Sequence, residues 1–217
     1  MSAHRFVTWL AAAAAFPSLA MATKISIDKN FGHLGKTVEE ARKSELFTWF
    51  HLVETGRGPH GYSVIVRFQP SGPKFHDVAM VALEVESGSI KAATLHLSRG
   101  FIDGPDEAFA RDIAASFLRN SLTVEDAARA DHLIRQIGSD YRGQRPPIVH
   151  GSADHRVPQP LTPAYVVFLG HKVEAAWPLQ HMDLHMINTR SGGDQLLIRV
   201  DLTRPDRRAS SCGSRGR

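Results

Sequence analysis

Residues 62–97 read YSVIVRFQPSGPKFHDVAMVALEVESGSIKAATLHL. Tyr62–Phe68 and Val78–Glu86 are dense in β-branched and aliphatic residues, the composition that suits a pleated, half-buried surface. Pro70, Gly72 and Pro73 lie between them, and no helix tolerates that spacing. Ser87-Gly88-Ser89 then turns the chain, and Ile90–Leu97 returns. Links this short permit antiparallel neighbours, whereas a parallel crossover needs a dozen residues or more. The stretch therefore reads as a β-meander.

Upstream, Leu46–Val53 (LFTWFHLV) fits both a helix face and a buried strand. Its aromatic and β-branched content favours a strand, so the meander is expected over residues 46–98. Gly56–Gly61 then serves as a hairpin connection. Thr37 and Glu40 form a capping-box pair, which predicts a short helix from Val38 to about Ser44. Lys24–Asp28 alternates and suggests a first strand.

Two helices are predicted beyond the meander. Asp103 or Gly104 caps the first, with Pro105, Asp106 and Glu107 in its opening turn. Phe109, Ile113 and Phe117 make an apolar stripe. The second runs from Thr123, with Asp126 in the box position, to Gly138. The two should form a hairpin on one sheet face. Residues 141–163 hold five prolines and read as a long irregular loop. Ala164–Leu169, Met182–Ile187 and Asp194–Leu202 read as strands, with Ser191-Gly192-Gly193 turning between the last two. The expected class is α+β: a largely antiparallel sheet, meander plus C-terminal strands, with two or three helices on one face.

The N-terminus has the three parts of an export signal. Arg5 supplies the charge, Phe6–Phe16 the apolar run, and Ala20-Met21-Ala22 the small residues of a cleavage site. The apolar run is too short for a membrane-spanning helix, which needs roughly 20 residues. No later run reaches that length, so the mature chain is expected to lack a transmembrane segment and to be soluble. The expected organisation is a signal peptide over residues 1–22, one α+β domain over 23–203, and a basic tail over 204–217. The formal net charge is +4, and the tail alone holds five arginines against one aspartate. The body is thus close to neutral, and a nucleic-acid face, which needs basic residues clustered on the domain, is not expected. Cys212 is the single cysteine and lies in the tail, which excludes an internal disulfide.

His181-Met-Asp183-Leu-His185 is the leading candidate constellation. On a strand, alternate residues share a face, so two imidazoles and a carboxylate would point one way, a sensible set for zinc or copper. Residues four apart on a strand are about 13 Å distant, so one ion cannot bridge both histidines without a bend. A further ligand would come from the long loop, from His150 or His155. Ser152 and Asp154 in that loop lack the elbow of an α/β-hydrolase nucleophile. Ser71 and Lys74 match a Ser-x-x-Lys spacing but fall beside Gly72 and Pro73, not on a helix turn. Gly56-Arg-Gly58-Pro-His-Gly61 lacks the lysine and hydroxyl of a phosphate loop. His51 and His96 read as structural histidines within strands, and Trp49 and Trp177 as core or pocket residues.

Two functional classes follow. The first is an exported, non-enzymatic protein, periplasmic or secreted, that binds an unknown ligand or an envelope component. The second is a metal-binding or metal-dependent hydrolytic protein using His181, Asp183, His185 and His150. If the leader is read correctly, intact-mass measurement of protein isolated from cells will show a chain beginning at Thr23. A retained Met1 would refute that reading.

Overall fold

The computed structural model describes residues 32–139, 161–190 and 194–202. The leader, the Lys24–Asp28 strand, most of the 141–163 loop, the 191–193 turn and the basic tail lie outside the described residues. The chain forms α1 (Val38–Ala41), α2 (Glu45–Trp49), β1 (Leu52–His60), β2 (Ser63–Pro70), β3 (Ala79–Glu86) and β4 (Ser89–Ser98). There follow α3 (Arg99–Ile102), α4 (Glu107–Ser121), α5 (Val124–Ile137), α6 (Pro163–Phe168), β5 (Glu174–Pro178), β6 (Met182–Thr189) and β7 (Gln195–Leu202). Among these, no helix is long and apolar enough to cross a membrane.

The strands make one seven-stranded sheet in the order β1-β2-β3-β4-β7-β6-β5, antiparallel throughout. It is an α+β fold, as the sequence leads one to expect. Two meanders, β1–β4 and β5–β7, meet where β7 pairs with β4 from Ala92↔Asp201 to Ser98↔Gln195. The β3–β4 hairpin turns on Ser87 (φ 52°) and Gly88 (φ 80°). Two successive left-handed residues match the right-handed strand twist.

Only one set of alternating side chains from each strand enters the core. β7 gives Leu196, Ile198 and Val200; β6 gives Met182, Leu184 and Met186; β4 gives Ala93, Leu95 and Leu97. From the same side, α4 contributes Ile113 and Phe117, α5 Leu133 and Ile137, and α6 Val167 and Phe168. Near one edge, Phe75 stacks on Phe109 with ring centroids 4.3 Å apart, and Phe50 meets Phe109 edge-on. Such pairs add about 0.5–1.5 kcal/mol beyond area burial. The helical layer therefore seals one sheet face and leaves the other without a covering layer of described residues.

Several segments differ from expectation. Of Leu46–Val53, only Leu52 and Val53 are strand; Leu46–Trp49 is helical. Ser44 precedes α2, Leu46 and Phe47 turn into the core, and His51 (φ 48°) breaks the helix before Leu52 opens β1. The local pattern allowed both states, and packing of Leu46 and Phe47 selects the helix. β1 then continues through Gly56 and Gly58 to His60, so the hairpin turn is only Gly61-Tyr62. Ala164–Leu169 is helical as well. The Thr162 hydroxyl accepts from the Tyr165 amide and Pro163 occupies the first turn, start signals that outweigh the β-branched composition. The edge strand β5 and the short α3 were not foreseen. The α4 cap is Asp106 rather than Asp103 or Gly104.

Asp126 departs from its expected role in a more consequential way. Thr123 Oγ1 accepts from the Asp126 amide at 3.0 Å. The Asp126 carboxylate instead reaches the β5–β6 turn, accepting from the Gln180 amide (2.7 Å) and the His181 amide (3.0 Å). Asp126 is fully buried. One carboxylate thus pins the helical layer to the second meander. Asp126→Ala would strand two amides, each costing about 1–3 kcal/mol when buried unpaired. Urea unfolding should therefore show a loss of about 2–4 kcal/mol; a change within 0.5 kcal/mol would show that the pin is not needed.

Candidate functional site

The uncovered face carries the residues that the core rejects. Strand pairing sets them in rows. Asp183 lies opposite Asp201, Asp201 opposite Ala92, and Ala92 opposite Glu84. In the next row, His185 lies opposite Arg199, Arg199 opposite Thr94, and Thr94 opposite Ala82. A third row holds Ile187, Leu197, His96 and Met80.

Arg199 organises the centre. Its Nε donates to both Asp201 oxygens at 2.9 and 3.0 Å, and its Nη2 donates to Glu84 Oε2 at 2.9 Å. Ser63 Oγ donates to Glu84 Oε1 at 3.0 Å. The Arg199–Glu84 bond joins β7 to β3 across β4, a span of about 10 Å at 4.7–4.9 Å per strand. Only small side chains beneath it allow that reach. Ala92 supplies one: it is 2% exposed yet belongs to no part of the core cluster, as expected of a methyl beneath the bridge.

The electrostatics follow from this geometry. Burial pushes the Glu84 carboxyl up, but hydrogen bonds from Arg199 and Ser63, with the Arg199 charge, outweigh it and hold the group below its ordinary value. Burial likewise works against the Arg199 charge, and its bonds to Asp201 and Glu84 raise it net. Glu84 is thus held as a carboxylate beside a charged Arg199. Beside it lies a depression of about 610 Å³, lined by Glu84, Lys91, Asp183, His185, Arg199 and Asp201 among others.

Asp183 and His185, two of the residues singled out in the sequence, share this depression. His181 is exposed just before β6, with its backbone amide held by Asp126, and does not line it. His150, His155, Ser152 and Asp154 lie outside the described residues. Among the described residues, no three His, Cys, Asp or Glu side chains are placed to hold a metal ion together. His51 is exposed at the turn into β1, not within a strand. His96 does lie in β4, where burial lowers its pKa against the opposing hydrogen bond to Gln195. Trp49 is 67% exposed, and Trp177 is half-buried against the core from edge strand β5. Lys74 pairs with Asp106 at 2.7 Å, so it has a structural partner away from Ser71. Sequence reasoning missed Glu84, Arg199, Asp201 and Ser63. The available signal was the alternation of Gln195–Leu202, which sets Arg199 and Asp201 on the face opposite Ile198 and Val200. No known protein family, curated protein or solved structure matches the chain.

Replacing Arg199 by Leu removes the main groups that hold Glu84 down. A carboxylate with a depressed folded-state pKa stabilises the protein above its unfolded value and loses that contribution as pH falls through the folded value. In Arg199→Leu, carboxyl carbon NMR should show Glu84 titrating at higher pH than in the wild type. An unchanged Glu84 titration would mean that the bridge does not exist in solution.

Proposed function

We propose that this chain is an exported, non-enzymatic binding protein, periplasmic or secreted, that receives a ligand or another envelope component on the uncovered sheet face. The observation that carries the reading is the one-sidedness of the sheet. Every strand of the sheet centre contributes its apolar set to the helical layer, and the other face combines a preorganised ion cluster with exposed aliphatic surface at Ile187. Binding sites commonly pair apolar lining with a few fixed polar groups that set orientation.

The chemistry of the cluster favours recognition over turnover. General acid–base catalysis works best with a group titrating near the operating pH. Glu84 is instead held anionic and Arg199 cationic. Both carboxylates on Arg199 are engaged, so its guanidinium acts as a rigid strut. Asp183, His185 and Lys91 remain at the rim of the depression to meet a ligand. The export reading rests on the leader in residues 1–22.

Filling the surface tests the proposal. Ala92→Trp puts an indole where Arg199 must cross β4. Native mass spectrometry of protein isolated from the extracytoplasmic fraction should show a bound species on the wild type that is lost from Ala92→Trp, with both variants folded. Elemental analysis of the same samples forms the second arm. Stoichiometric zinc or copper, lost in a His181→Ala, His185→Ala double variant, would replace this reading with the metal-binding one. Equal occupancy of wild type and Ala92→Trp would refute the open face as the site.

A further inference from the structure

A second cleft lies away from the open face, between the α1–α2 segment and the α4–α5 corner. It encloses about 350 Å³ and is lined by His33, Lys36, Lys43, Ser44, Arg119 and Val124 among others. We propose that this cleft binds an oxyanionic group, the phosphate or carboxylate of a small ligand, independently of the open-face reading.

Three observations converge on that class. Lys36, Lys43 and Arg119 bring three cations to one cleft, and none forms an ion pair with a described residue. The one carboxylate of the lining is Glu40: the Thr37 amide and hydroxyl donate to its Oε2 at 2.8 and 3.0 Å, and with the Lys36 and Lys43 charges they hold it anionic, so it offsets one of the three cations. The cleft is thus cationic. In addition, α5 starts at Val124 on the cleft wall, so the positive end of a fourteen-residue helix adds to the potential, offset in part by Glu125 and Asp126 in its first turn.

His33, in the cleft wall, carries an unsatisfied buried polar atom. It is 2% exposed. Its backbone amide donates to the Asn120 carbonyl at 2.7 Å, its ring packs edge-on against Phe47, and its Nε2 lies 2.8 Å from Ser44 Oγ. These contacts fix the ring, yet Nδ1 has no partner. Buried polar atoms are almost always paired, and an orphan calls for an explanation. Burial, helped by the Lys36 charge, lowers the His33 pKa to about 3. An anion in the cleft would offset the Lys36 charge and so move the His33 pKa upward. The close approach of Gly32 holds this wall in place: a Cβ there would meet the Asn120 carbonyl oxygen at 2.3 Å.

The test is an NMR titration of the isotope-labelled full chain with inorganic phosphate, and separately with acetate, against chloride at matched ionic strength. Phosphate should give saturable shifts confined to residues 32–44 and 119–124. The His33 imidazole nitrogens should move toward the protonated form with the same midpoint. The double variant Lys43→Gln, Arg119→Gln changes only exposed side chains and should keep its melting temperature while binding at least tenfold more weakly. Saturation by acetate as well as phosphate would extend the ligand class to carboxylates; saturation by phosphate alone would restrict it to phosphates. Linear shifts equal to those in chloride, or unweakened binding by the double variant, would overturn the proposal.

Discussion

The pairing of β7 with β4 is the constraint on which the rest of this molecule depends. The first meander ends at β4, and the chain then builds its helices before returning at the far edge as β5. Had the two meanders stayed apart, each would expose two sheet edges, four in all, instead of the two that the joined sheet keeps at β1 and β5. An unpaired edge strand is a template for aggregation. Docking β7 on β4 buries both inner edges at once. It also aligns Leu95 with Ile198 and Leu97 with Leu196 on the core side. A slip of one residue would turn every one of those side chains to the opposite face.

The same seam creates the open-face chemistry. Glu84 belongs to the first meander, and Arg199, Asp201, Asp183 and His185 to the second. They become neighbours only because β7 lies beside β4 in the observed register. Arg199 then reinforces the seam from the side that the helices do not cover, while the hydrophobic core holds it from the other. The ion cluster is half-exposed, and surface pairs are worth about 0–1 kcal/mol each, so hydrophobic burial at about 25 cal/mol per Å² is the larger force. The cluster's contribution is to fix the position of charge on a surface that would otherwise be mobile.

The sequence announces its strands far better than their partners. Alternation and turn residues suffice for β2, β3, β4, β6 and β7, because each prefers its structure locally. Leu46–Trp49 and Ala164–Phe168 were misread because short apolar runs satisfy both periods, and tertiary packing decides between them. For Ala164–Phe168 the helix-start residues Thr162 and Pro163 decide in favour of the helix. Asp183 and His185 were legible as one-faced polar residues on a strand. Glu84 and Arg199 were not, since residues 115 apart in the chain meet through strand order, which no local pattern encodes. The anion cleft was invisible for the same reason: His33, Lys43 and Arg119 come from three separate segments.

A direct measurement of the seam tests the whole account. Nuclear Overhauser contacts between β4 and β7 should link Thr94 with Arg199 and His96 with Leu197, the pairs set by the observed register. If those contacts are present, the two meanders are one sheet and the charged face is continuous. If β7 instead shows contacts in a shifted register, or with a strand other than β4 and β6, then Glu84 and Arg199 never meet and the proposed binding face does not exist.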